Sequence, residues 1–213
     1  GTPYDVEFQI HRRTDNTVRS IHSVAEYDAE HHIVVGTIQD ITELKQADEA
    51  LRESELRFRT IAETSPIGIA TVDEAGNITF ANSAAEGTLG LTRDKITSRT
   101  YDEPTWEHTD LEGKPLPDEG QPFYIVKTTG RSVYDVQHSI VRPDGTFVDL
   151  SINGSPVFDE DGQFRGMIAT IEDITERRRA ESNLREALNE KDFLMRELNH
   201  RVKNSLNMVS SLI

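Results

Sequence analysis

The 213-residue chain contains no cysteine. Disulfides, thiolate nucleophiles and cysteine-based zinc sites are therefore excluded at once. No apolar run approaches the roughly eighteen residues that a helical membrane span requires, and the first ten residues lack the charged-then-apolar pattern of an export leader. The expectation is a cytoplasmic segment without membrane contact. Positive charge is scarce as well: 23 Lys and Arg face 38 Asp and Glu, a net charge of −15. A surface of that sign repels a phosphate backbone, so nucleic acid is not an expected partner. What is present is apolar material, 35% of residues, enough for one or two small domains with real cores.

The chain repeats itself. Ile38-Gln39-Asp40-Ile41-Thr42-Glu43 recurs as Ile171-Glu172-Asp173-Ile174-Thr175-Glu176, 133 residues later, a spacing too long for a solenoid and suited to tandem domains. Tyr4-Asp5-Val6 parallels Tyr134-Asp135-Val136, and the turn signal Arg13-Thr14-Asp15-Asn16-Thr17 parallels Arg142-Pro143-Asp144-Gly145-Thr146. The second copy predicts strands near 133–142, 146–158 and 164–173, an antiparallel meander with turns at Pro143-Asp144-Gly145 and Asp159-Glu160-Asp161-Gly162. Ahead of it, 68–82 reads as a hairpin around Asp73-Glu74-Ala75-Gly76-Asn77, followed by a short helix near 83–88. The first copy holds only the last three strands, from Tyr4, so its front half is expected upstream of Gly1.

Four segments carry a family resemblance: Ser65-Pro66-Ile67-Gly68-Ile69, Phe80-Ala81-Asn82, Gly90-Leu91 and Asp173-Ile174-Thr175-Glu176. Together they closely resemble the PAS family, in full over 57–176 and in part over 1–43. The resemblance implies an α+β sensory fold, a five-stranded antiparallel sheet with helices. Independently of it, Asp173 with Glu176, and Asp40 with Glu43, have the spacing of a capping box opening a helix. Asp40, Thr42, Asp173 and Thr175 are accordingly candidates for signal relay as well as caps.

A heptad-like stripe follows each cap: Leu44, Ala47, Leu51, Phe58 and Ile61 in a linker helix over 44–61, then Ala180, Leu184, Ala187 and Leu188 over 177–190. One isolated helix cannot bury such a stripe, so a parallel homodimer with coiled-coil linkers is expected.

The segment 191–213 continues as a helix with Met195, Leu198, Val202, Val209 and Leu212 at a and d positions, Ser205 interrupting. His200 then falls at position f, facing water, with Arg196, Glu197, Lys203 and Asn204 three and four residues away. From Arg177 onward eight basic side chains meet five acidic ones, a local +3 that leaves −18 on the remainder. Neutral imidazole can attack phosphorus, and the cations favour an incoming triphosphate and an acidic partner. Taken alone, these features fit a solvated helical face. The run Glu197-Leu198-Asn199-His200-Arg201-Val202-Lys203-Asn204-Ser205-Leu206 is similar to the phosphoacceptor box of sensor histidine kinases, in the group that includes the HWE-type kinases. The resemblance implies that His200 takes the γ-phosphoryl group of ATP and passes it to the receiver domain of a response regulator. Commoner kinases place an acidic residue directly after this histidine; Arg201 stands there instead, leaving Glu197 as the candidate base by helical spacing. ATP would be supplied through a catalytic domain, because no Asn-box, Asp-x-Gly-x-Gly or glycine-rich lid occurs here. Competing outputs are a noncatalytic dimerisation scaffold and a cyclic-nucleotide synthase.

Other constellations are weaker. His11, His22, His31 and His32 lack metal-ligand spacing, and no metal is expected. The acidic stretch from Asp102 to Glu119 lacks an EF-hand order. Tyr101, Trp106, Phe123 and Tyr124 are candidates to line a ligand pocket. His108 and His138 are conceivable haem ligands without supporting context, so no cofactor is named. A cysteine-adduct flavin is excluded by composition.

Overall fold

The computed structural model describes residues 4–210, with side chains described to Asn199. The chain divides between Thr64 and Ser65 into two compact units.

The first unit is a meander of β1 (Tyr4–His11), β2 (Val18–Asp28) and β3 (Ile33–Asp40), followed by helix α1 (Thr42–Thr64). Its register pairs Phe8 with Ile21 and His22 with Gln39. The first turn is built by Asp15, whose carboxylate accepts from the backbone and hydroxyl of Thr17. Asn16 adopts φ 54°, a left-handed conformation that asparagine tolerates. Apolar side chains on this sheet stay open to solvent, Val34 at 69% and Ile38 at 76%.

The second unit holds a five-stranded antiparallel sheet in the order β5-β4-β8-β7-β6. Its strands are β4 (Gly68–Asp73), β5 (Ile78–Ala81), β6 (Val133–Val141), β7 (Phe147–Phe158) and β8 (Phe164–Asp173). Helices α2 (Ser83–Leu89), α3 (Arg93–Thr97) and α4 (Pro122–Thr129) lie between β5 and β6, with 3₁₀ turns at Pro104–Trp106 and Asp118–Gly120. The core joins Ala70, Ile78, Ala85, Ile96, Phe123, Val126, Val148 and Leu150. Asn82 locks hairpin to helix: fully buried, its carbonyl oxygen accepts from the amides of Ile69 and Ala85 while its side-chain amide donates to Ile67. Gly90, at φ 68°, ends α2 with its N–H donated to Glu86.

Helix α5 (Thr175–Ser210) leaves β8 and runs 36 residues, without a break at the expected boundary near residue 190. The expected linker over 44–61 lies within the longer α1. The expected capping boxes take a different form. Asp40 and Asp173 remain paired in their sheets, opposite Ile21 and Leu150, and each carboxylate accepts from the amide two residues on. Glu176 is drawn to Arg179 instead of back to Asp173. These are Asx turns that start the helices, with the aspartate carboxylate itself capping the first turn.

Candidate functional site

Alternation along the strands decides what faces the interior of the second unit. On β6, His138 and Ile140 point inward, and on β7 so do Leu150 and Ile152, all four lining one cavity under the segment that follows α2. The cavity measures about 90 Å³. Tyr101, Trp106 and Phe123 close it from the helical side, with the Tyr101 and Phe123 rings 4.4 Å apart and the Trp106 indole N–H donating to Thr100 at 3.0 Å.

Two imidazoles interrupt these apolar walls. His138 is 1% exposed, and neither ring nitrogen has a hydrogen-bond partner among the described residues. His108 lies beside it, ring centroids 5.1 Å apart. Nε2 of His108 is 3.0 Å from the carbonyl oxygen of Tyr101, which can only accept, so Nε2 carries the hydrogen and Nδ1 presents a buried lone pair without a partner. Burial, reinforced by the neighbouring His108, pushes His138 down from 6.5 to about 4, and burial lowers His108 too. Both rings are therefore neutral near pH 7.

The opposite face of the same strands meets α5. Ser139, next to His138, donates to Asp149 Oδ1 at 2.5 Å, and Asp149 Oδ2 accepts from Arg178 of α5 at 2.7 Å. The Asp149 amide donates to the Thr175 hydroxyl, and the Ile174 amide donates to the Asp149 carbonyl. Asp173 accepts from the Thr175 amide and pairs with Arg142 at 2.9 Å, while Arg142 also donates to Thr88 at the end of α2. Burial pushes the Asp173 carboxyl up, but the Thr175 and Arg142 hydrogen bonds outweigh it and hold it below the usual carboxylate range. The junction is thus tied to strand and helical section alike.

The first unit repeats this junction. The Ser20 amide donates to Thr42 as Asp149 does to Thr175, and Lys45, three residues after Thr42, pairs with Glu7 as Arg178, three after Thr175, pairs with Asp149. Asp40 accepts from the Thr42 amide and hydroxyl, with Arg19 3.7 Å away.

Residues 66–176, more than half of the chain, match the family model of the PAS domain. The chain belongs to the PAS domain family. Among curated proteins it is 29% identical to an uncharacterized protein, y4lL, of Sinorhizobium fredii, over 85% of this chain and 21% of that protein. It is 26% identical to the C4-dicarboxylate transport sensor protein DctS of Rhodobacter capsulatus, over 64% and 20%. To the probable diguanylate cyclase DgcE of Escherichia coli it is 24% identical, over 84% and 16%. The chain spans about a fifth of the length of these relatives.

The PAS unit places three of the four expected pocket aromatics, Tyr101, Trp106 and Phe123, on the cavity wall. Tyr124 is not among them: it is 36% exposed, because consecutive residues on α4 face different ways. The His108–His138 pair is drawn together from a loop and a strand thirty residues apart, and the period-two pattern His138-x-Ile140 was its one trace in sequence. Three other histidines have partners of their own: His22 with Asp5, His31 with Asp28 and His32 with Tyr27. Among the described residues no group of three His, Cys, Asp or Glu could hold a metal, and no helix is long and apolar enough to cross a membrane. Glu197 is partly shielded on α5. The side chains of His200, Arg201, Lys203 and Asn204 lie outside the described residues.

Proposed function

We propose that this PAS unit is the input and relay section of a two-component sensor histidine kinase of the His-Arg-Val-Lys-Asn group, in which His200 receives the γ-phosphoryl group of ATP and passes it to a response regulator receiver domain. The observation that carries this reading is the continuity of α5: one helix joins the Asp173 junction to position 200, 25 residues and about 38 Å along its axis. A displacement at the sheet, passed through Ser139 and Asp149 to Arg178, would move the helix as a rod. Glu197, Arg201, Lys203 and Asn204 would flank the reacting imidazole, Glu197 as base. The similarity to a sensor protein, DctS, supports the assignment. ATP would be bound by a catalytic domain beyond this segment, so the segment by itself would not autophosphorylate. A homodimer fits the apolar stripe left open on the helices, with Leu51 60% and Leu184 62% exposed.

The test is incubation of the chain, extended through its native C-terminal region, with labelled ATP. Acid-labile, base-stable phosphate that disappears in His200→Gln supports the kinase. Equal label in both proteins, or none in either with ATP binding verified, removes it. The similarity to a diguanylate cyclase favours a second reading, in which the same PAS units and helix drive a different output. Cyclase activity in the extended protein, without histidine phosphorylation, would establish that one.

A further inference from the structure

A buried polar group without a partner costs stability, and the PAS cavity keeps three such nitrogens on two adjacent histidines. Their chemistry is specific. His108 offers only an acceptor, because its N–H is committed to Tyr101. His138, neutral and without a partner on either nitrogen among the described residues, offers one donor and one acceptor. We infer that the cavity takes a small neutral molecule with an apolar body and one hydroxyl group, which donates to His108 Nδ1 and accepts from His138. The proposal rests on the reading of this unit as sensory input and names the class of ligand it senses.

Size and charge narrow the class. A cavity of about 150 Å³ accommodates six-carbon benzene, so 90 Å³ suits about four non-hydrogen atoms. Among the described residues no Lys or Arg lines the cavity, so a carboxylate or phosphate would be buried without a counter-charge. A metal ion would find the two imidazoles but no third His, Cys, Asp or Glu ligand grouped with them among the described residues. Trp106, the one tryptophan of the chain, sits in the wall and reports on occupancy.

The test uses the 213-residue chain at neutral pH, titrated separately with 2-propanol, acetone and acetate, which share a size of about four non-hydrogen atoms. The readouts are the ring nitrogens of His108 and His138 by NMR and the indole signal of Trp106. Saturable 2-propanol binding in the roughly millimolar range is expected, with acetone about tenfold weaker, because a ketone cannot donate to His108 Nδ1. Acetate should not saturate. In His108→Leu the preference for alcohol over ketone should vanish; if that variant does not fold, the comparison on the unaltered chain still decides. Equal affinity for alcohol and ketone, or no saturation by any probe, overturns the proposal. Labelled phosphate on His200 is measured independently, so loss of alcohol binding leaves the kinase reading standing.

Discussion

Replacing His138 by leucine, a side chain of similar size, gives the sharpest test of how the PAS core is built. The folded-state value near 4 lies below the unfolded 6.5, so the folded unit binds fewer protons at acid pH. Stability present above about pH 6.5 is therefore lost as pH falls toward 4. At pH 5 an ordinary imidazole is about 30 times further along its protonation polynomial than one titrating near 4, which converts to about 2 kcal/mol lost between pH 7.5 and 5 from this one ring. His108, Tyr101 and the rest of the cavity wall are common to both proteins, so the difference between them isolates His138. Urea unfolding followed by Trp106 fluorescence reads the PAS unit alone, since the first unit has no tryptophan. His138→Leu should be at least as stable as the parent at pH 7.5, because an unpartnered buried imidazole is removed. Its advantage should then grow by about 2 kcal/mol, roughly 1 M in the urea midpoint, on going to pH 5. Parallel pH dependences in the two proteins would refute the burial of a neutral His138.

Three other outcomes are expected. Asn82→Ala strands the buried amide of Ala85 and the part-buried amide of Ile69 and should cost the PAS unit about 3 kcal/mol in urea unfolding. Asp149→Asn removes the charge facing Arg178 while keeping an acceptor for Ser139. Amide exchange in the first turn of α5 should then rise about tenfold, with the sheet amides little changed, and unchanged first-turn protection would refute Asp149 as the clamp. Leu184→Glu with Leu188→Glu, on the open stripe of α5, should lower self-association in sedimentation by more than about tenfold if the helices pair. A parent chain that is already monomeric would remove the dimer.

Local signals were legible without any fold. The Asp73–Asn77 turn, the Gly90 helix stop and the three-strand meander each follow from the conformational preferences of a few neighbouring residues. So did the repeat, because two junctions built on Asp-Ile-Thr need the same side-chain acceptor and hydroxyl at the same spacing. The form of each junction was not legible: the spacing of Asp173 and Glu176 is the same whether the glutamate reaches back to Asp173 or turns to Arg179, where the structure places it.

The chain order of apolar, turn-forming and charged residues was thus sufficient for the PAS architecture and for the helix that carries His200. It was not sufficient for the cavity. His108 and His138 are thirty residues apart, and nothing local brings them together; only closure of the helical segment over the sheet sets their rings side by side and strips them of water. Strand alternation puts Ser139 on the opposite face from His138, and there Asp149 and Arg178 meet it. Periodicity says which residues share a face, but burial and partnership are properties of what packs against that face, and those come from distant parts of the chain.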